Sequence, residues 1–170
     1  TMLRDRLVDR VVVDNPQKPF TRHFVAWRYW AGQGNRPLDA SGTTEALRLA
    51  KGLWLGSKAY DRPDDQALAF DILRGYTRHE TSDQGIWFIA NYYNLQADHF
   101  ATNSYTIDYD PDLLDAAAEV TGETALRRVA DRSQKLMERA LAPTGLIRQI
   151  IQPELKTLMP SKDGIFSPNN

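Results

Sequence analysis

Cysteine is absent from the 170 residues, which excludes disulfides and thiolate metal sites and leaves the redox compartment open. An excess of one charge is also missing. The 21 basic and 22 acidic residues leave a formal charge of −1, too small to draw nucleic acid or an anionic membrane through a global field. No apolar run approaches the ~20 residues that a membrane-spanning helix needs, and the first residues hold no apolar segment of the signal-peptide kind. The three histidines, His23, His79 and His99, stand far apart and outside any His-Glu-x-x-His pattern, so no metal is expected. Gly32-Gln33-Gly34 lacks the third glycine and the following helix of a phosphate-binding loop, and no Gly-x-Ser-x-Gly elbow occurs. Nucleotide cofactors and serine hydrolysis are therefore unsupported. No cofactor is expected.

Aromatic residues are plentiful: four Trp, seven Tyr and six Phe, concentrated in residues 20–109. The chain is organised around residues 39–56. There a polar run, Asp39-Ala40-Ser41-Gly42-Thr43-Thr44-Glu45, passes into an apolar pattern of Ala46, Leu49, Ala50, Leu53 and Trp54. Spacings of three and four mark one buried helical face, with Trp54 on it. Ser41 or Asp39 is expected to cap the helix, and Glu45 falls where the positive helix end favours an anion.

Residues 2–13 read as a short amphipathic helix, 14–19 as a turn and 20–30 as mostly extended. Pro63 opens a second helix through Leu68, Ile72 and Tyr76, so residues 42–78 form a helical hairpin of antiparallel neighbours. Residues 86–95 suit a buried strand, an aromatic helix or a loop. Asp110-Pro111 starts a third helix that Thr121-Gly122 stops, and residues 123–142 carry the clearest amphipathic stripe. Leu146–Leu158 is a β-type run broken by Pro153. At this length the chain is expected to be one domain.

Two helix pairs, each capped after a polar aromatic loop, suggest the mainly α architecture of an α/α toroid, a ring of paired helices. Two stretches carry a resemblance to a known group: Asp39-Ala40-Ser41-Gly42-Thr43-Thr44-Glu45-Ala46-Leu47, and Ser104-Tyr105-x-x-Asp108-Tyr109-Asp110-Pro111 leading to Leu114-Asp115-Ala116-Ala117-Ala118-Glu119-Val120-Thr121-Gly122-Glu123. Over about residues 38–150 the chain resembles the (α/α)6-toroid glycoside hydrolases and related polysaccharide-active enzymes, those of family 8 in particular. It departs from them at Ser41, where family 8 has a catalytic Glu directly before the glycine. The Ser-Gly-Thr run is equally similar to toroid enzymes that hydrate unsaturated glucuronyl residues. A full ring takes about twelve helices. Four or five imply a fragment or a reduced ring, completed by a partner chain or by further sequence.

The resemblance implies cleavage of glycosidic bonds in a poly- or oligosaccharide, by hydrolysis or elimination, and a periplasmic or secreted setting. Hydrolysis takes one protonated and one ionised carboxyl group. The candidates are Asp39 and Glu45 at the first helix mouth and Asp108 at the second. Their bland readings are a cap for Asp39 and a first-turn dipole partner for Glu45. Sugar rings stack on aromatic faces, so Trp27, Trp30, Trp87, Tyr92, Tyr93, Tyr105 and Tyr109 could line subsites, with Trp30, Trp87, Tyr93, Tyr105 and Tyr109 the favoured substrate contacts and core packing the alternative. The competing function is a non-catalytic helical binding or scaffold domain. The basic residues of 123–142 are interleaved with acids and read as a solvated face.

Overall fold

The computed structural model describes residues 2–27, 40–141, 145 and 150–151. It is mainly helical, with α1 (Met2–Val11), α2 (Thr43–Tyr60), α3 (Pro63–Thr77), α4 (Pro111–Thr121) and α5 (Thr124–Ala140). Short strands lie between them, β1 (Ala40–Gly42), β2 (Glu80–Asp83), β3 (Ile86–Ile89), β4 (Tyr92–Asn94), β5 (His99–Phe100) and β6 (Ser104–Tyr105), and β7 (Ile150–Ile151) follows α5. By internal packing the chain forms two compact units, Thr1–Arg78 with Tyr92–His99, and His79–Asn91 with Phe100–Asn170.

In the first unit α2 and α3 pack as a hairpin. Small Ala46, Ala50 and Ala69 are fully or nearly fully buried. Trp54 meets Phe70 edge to face at 5.1 Å, a preferred aromatic geometry. Asp61 closes α2 in a left-handed conformation, φ 51°, and Arg62 precedes Pro63 without a side-chain cap. Asp65 in the first turn of α3 is buried and paired with Arg4 and Arg62.

The start of α2 differs from expectation. Ser41 does not cap it. The N-cap is Gly42, extended at φ −121° and ψ 137°, with no side-chain cap. Ser41 belongs to β1, which pairs antiparallel with β4 in the register Ser41↔Tyr93. Its hydroxyl accepts the Tyr93 N–H at 3.4 Å, so strand pairing takes the oxygen that a cap would have used. Bridges Val12↔Val25 and Ala26↔Ser41 make Val25 and Ala26 extended, but Pro19–Thr21 is a 3-10 turn and Arg22–His23 a further turn, so the run expected to be mostly extended starts out bent.

One close approach requires glycine. A Cβ on Gly75 would lie 2.7 Å from the His23 carbonyl oxygen, so α3 and the Arg22–Phe24 turn touch backbone to backbone. His23 itself sits at φ 65°, and the Arg78 guanidinium donates to the Arg22 carbonyl.

In the second unit α4 and α5 form the other hairpin. Asp110 accepts the Leu113 N–H at 3.1 Å, and Gly122 closes α4 at φ 73°, both as the cap signals indicate. Leu113, Leu114, Ala117, Leu126, Val129, Leu136 and Ala140 are buried. Each large aliphatic side chain removed from water contributes about 2 kcal/mol. β2 and β3 pair as a hairpin through Gln84 and Gly85, both at positive φ. Residues 86–95 thus hold two short strands, Ile86–Ile89 and Tyr92–Asn94, broken at Ala90–Asn91, and no helix. Of the 146–158 run, only Ile150 and Ile151 are among the described residues. They pair with Tyr105 and Ser104.

Candidate functional site

The mouth of α2 is set by where β1 delivers the chain. The Gly42 N–H donates to the Val25 carbonyl at 2.8 Å, and the Trp27 N–H to that of Ala40 at 3.3 Å. The strand so held turns into α2 at Gly42, and Glu45 is the third helical residue. Its carboxylate folds back over Gly42: a Cβ there would collide with Glu45 Oε2 and stand 2.9 Å from Trp27 Cβ. Trp27, 37% exposed, packs its ring 5.9 Å from that of Tyr92. Glu45 is thus a half-buried carboxylate whose tip and Trp27 Cβ meet over Gly42. Asp39 and Trp30 lie outside the described residues.

Tyr93 is 4% exposed and sits edge to face between Phe20 and Phe24 at 5.1 and 5.8 Å. Its hydroxyl donates to Asp98, whose Oδ1 also receives Lys18 Nζ at 2.9 Å. Burial and that bond push the Tyr93 phenol up to about 12. The same bond from Tyr93, then the one from Lys18, lowers the Asp98 carboxyl. Both describe a packed, anchored tyrosine.

The second unit holds Asp108, Tyr105, Tyr109 and Trp87. Asp108 ends a 3-10 turn, Thr106–Asp108, and is fully buried. Oδ2 accepts the Tyr105 N–H at 2.8 Å and the Ser104 hydroxyl at 3.4 Å. The Asn91 amide stands against the same carboxylate, and with its nitrogen turned inward it donates to Oδ2 and Oδ1 at 3.2 and 3.3 Å. A carboxylate so surrounded holds its loop in shape. Tyr109 is 7% exposed; its hydroxyl accepts the Ile89 N–H at 3.1 Å, and burial raises its phenol well above the ordinary tyrosine range. Tyr105 and Trp87 are half-buried.

Of the sequence candidates, the structure therefore sets Glu45 in a chemically suggestive place in one unit, and Asp108 with Tyr105 and Tyr109 in one loop of the other. Trp27, one of the aromatic candidates, is the one set beside Glu45. It reaches Glu45 through an isolated bridge to β1, which leaves no periodic trace. Among the described residues no three His, Asp or Glu side chains converge to hold a metal ion.

No protein-family model matches the chain, and comparison with curated proteins finds no similar sequence. Solved structures do match. An α-amylase from Clostridium perfringens has a TM-score of 0.67 and 14% identity, over 97% of this chain and 42% of that one. The endo-β-1,4-glucanase CMCax from Acetobacter xylinum has 0.66 and 17%, over 85% of this chain and 44% of that one. An endoglucanase from Komagataeibacter sucrofermentans has 0.65 and 17%, over 86% and 45%. The chain spans less than half the length of each. At such identities likeness speaks of architecture, and this chain has the fold of these glycoside hydrolases over somewhat under half their length.

Proposed function

We propose that this chain is part of a carbohydrate-active enzyme of α/α-toroid architecture that cleaves glycosidic bonds by carboxylate acid–base chemistry. The observation that carries the reading is Glu45 folded over Gly42 beside the exposed Trp27. Fold likeness to glycoside hydrolases supports it. In this reading Glu45 protonates the leaving oxygen, and a second carboxylate, for which Asp39 is the candidate closest along the chain, activates water. Trp27 offers its face to a sugar ring. The two hairpins α2/α3 and α4/α5 are segments of a partial ring. An apolar groove of about 650 Å³ between α1 and α2, lined by Leu7, Val8, Leu49, Leu53 and Tyr60, is consistent with further chain or a partner completing it.

One observation favours a second reading, a non-catalytic helical binding domain. Asp108 is fully buried, whereas a base must meet water. Reducing-sugar release from barley β-glucan and soluble starch by the wild type and by Glu45→Gln decides between them. Release that falls at least a hundredfold in the variant supports the enzyme. Absence of release, with retained binding of either polysaccharide, supports the binding domain.

A further inference from the structure

The basic residues of α5 divide by what they face. Arg127 pairs with Asp115, while Arg128 and Arg132 reach the Glu80 carboxylate of β2 at 2.8 and 3.0 Å. Lys135 and Arg139 follow Arg132 at spacings of three and seven, which keeps all three on one side of the helix. Together with Ser82, Gly85, Trp87 and Leu136 these three line a cleft of about 470 Å³, a size that admits a small ligand. The Trp87 indole N–H donates to Glu80 Oε2 at 2.9 Å, and the Arg132 guanidinium lies 5.8 Å from the centre of its ring.

Glu80 therefore orients the indole and Arg132 without neutralising the cleft, because four cations, Arg128, Arg132, Lys135 and Arg139, share this one carboxylate or none. The acids of α5 do not cancel that excess. Glu138 accepts from Gln134 at 3.3 Å, four residues before it, and neither Glu138 nor Asp131 is among the cleft-lining residues. At the rim, a Cβ on Gly85 would have no atom within 4 Å, so the mouth is open. In a chain with a formal charge of −1, this is a local basic pocket with an aromatic wall.

We propose that this cleft binds an acidic saccharide, a uronate ring stacked on Trp87 with its carboxylate held by Lys135 and Arg139. The half-buried indole presents an apolar face to the C–H face of a pyranose. Guanidinium forks match carboxylate geometry, and the ammonium adds a point charge. A simple anion would leave the indole unused, and a neutral sugar would leave the cations uncompensated. The inference rests on the carbohydrate reading only for the choice of a sugar as the carrier of the carboxylate.

Isothermal titration of the full chain with tetragalacturonate, maltotetraose and inorganic phosphate tests it, with Lys135→Gln/Arg139→Gln as the variant. Both residues are exposed or at the cleft edge, and an unchanged melting curve verifies that the variant folds. Tetragalacturonate is expected to bind at least tenfold more tightly than maltotetraose, to weaken with salt and to lose at least tenfold in the variant. Equal binding of the neutral oligomer, wild-type affinity in the variant, or phosphate binding as tightly as tetragalacturonate would each overturn the proposal. Reducing-sugar release from barley β-glucan on the same preparations separates the two readings. A chain inactive toward glucan that still binds tetragalacturonate defeats the enzyme alone, and an active chain that does not bind it defeats this cleft alone.

Discussion

The carboxylate of Glu45 occupies the space that a side chain on Gly42 would need, so the hydrogen at that position is what lets the acid fold back over the helix mouth. Gly42 has an ordinary extended backbone, φ −121°, and any residue could adopt it. Space, not conformation, demands glycine here.

Gly42→Ala should displace Glu45 and press on Trp27 Cβ, 2.9 Å from the new methyl. The overpacking should cost about 1–3 kcal/mol in urea unfolding. If Glu45 is the acid, reducing-sugar release should fall at least tenfold in this variant, tracking Glu45→Gln. Full release in both would remove Glu45 from the chemistry.

Asp108→Asn tests the buried carboxylate. The amide can present nitrogen or oxygen to the Tyr105 N–H at 2.8 Å, but it cannot serve the Ser104 hydroxyl, the Asn91 amide and that N–H as two carboxylate oxygens do. Loss of about 1–3 kcal/mol of stability is expected, measured by urea unfolding. Unchanged stability with abolished turnover would instead place Asp108 in the reaction.

Tyr93 and Asp98 make opposite contributions to the pH profile of stability. The Tyr93 phenol is raised to about 12, so its contribution is complete below the unfolded value near 10 and disappears as pH rises from there through about 12. The Asp98 carboxyl is lowered, so its contribution is present above the unfolded value near 4 and is lost as pH falls through the lower folded one. Tyr93→Phe should flatten the alkaline limb and return the Asp98 carboxyl toward its ordinary value. Urea unfolding between pH 2 and 12, with tyrosinate absorbance, reads both. An alkaline limb identical in the variant would refute the assignment.

Gly75→Ala places a methyl 2.7 Å from a backbone oxygen that no rotamer can move. Destabilisation of roughly 1–3 kcal/mol is expected. His23→Gly on the other side of that contact should relieve a left-handed backbone, φ 65°, worth about 1 kcal/mol. The His23 pKa is lowered, chiefly by burial and against the pull of Asp71. Below the unfolded value near 6.5 the unfolded chain takes up the proton more readily, and stability falls with pH. Thermal melts from pH 5 to 8 should show that slope in the wild type and its loss in the glycine variant.

The helices were legible because their causes are local. Asp110-Pro111, Pro63 and Gly122 are boundary signals within a few residues of what they bound, and the stripes of α2, α3, α4 and α5 repeat every three or four. The candidate site was legible only as a set of residue types. Tyr93 and Tyr105 look alike in sequence, yet Tyr93 is buried between Phe20 and Phe24 while Tyr105 is half-buried.

By itself the sequence determined the hairpins, the turn glycines and the absence of thiol chemistry, since propensity, capping and composition act over short spans. The tertiary structure decided which oxygen of the 39–45 run does what. Ser41 was drawn from capping into a strand by Tyr93, 52 residues away, Glu45 was folded over Gly42 beside Trp27, and Lys135 and Arg139 were brought to Trp87 by the packing of a hairpin on α5. Such pairings join residues far apart in the chain, and no local period encodes them.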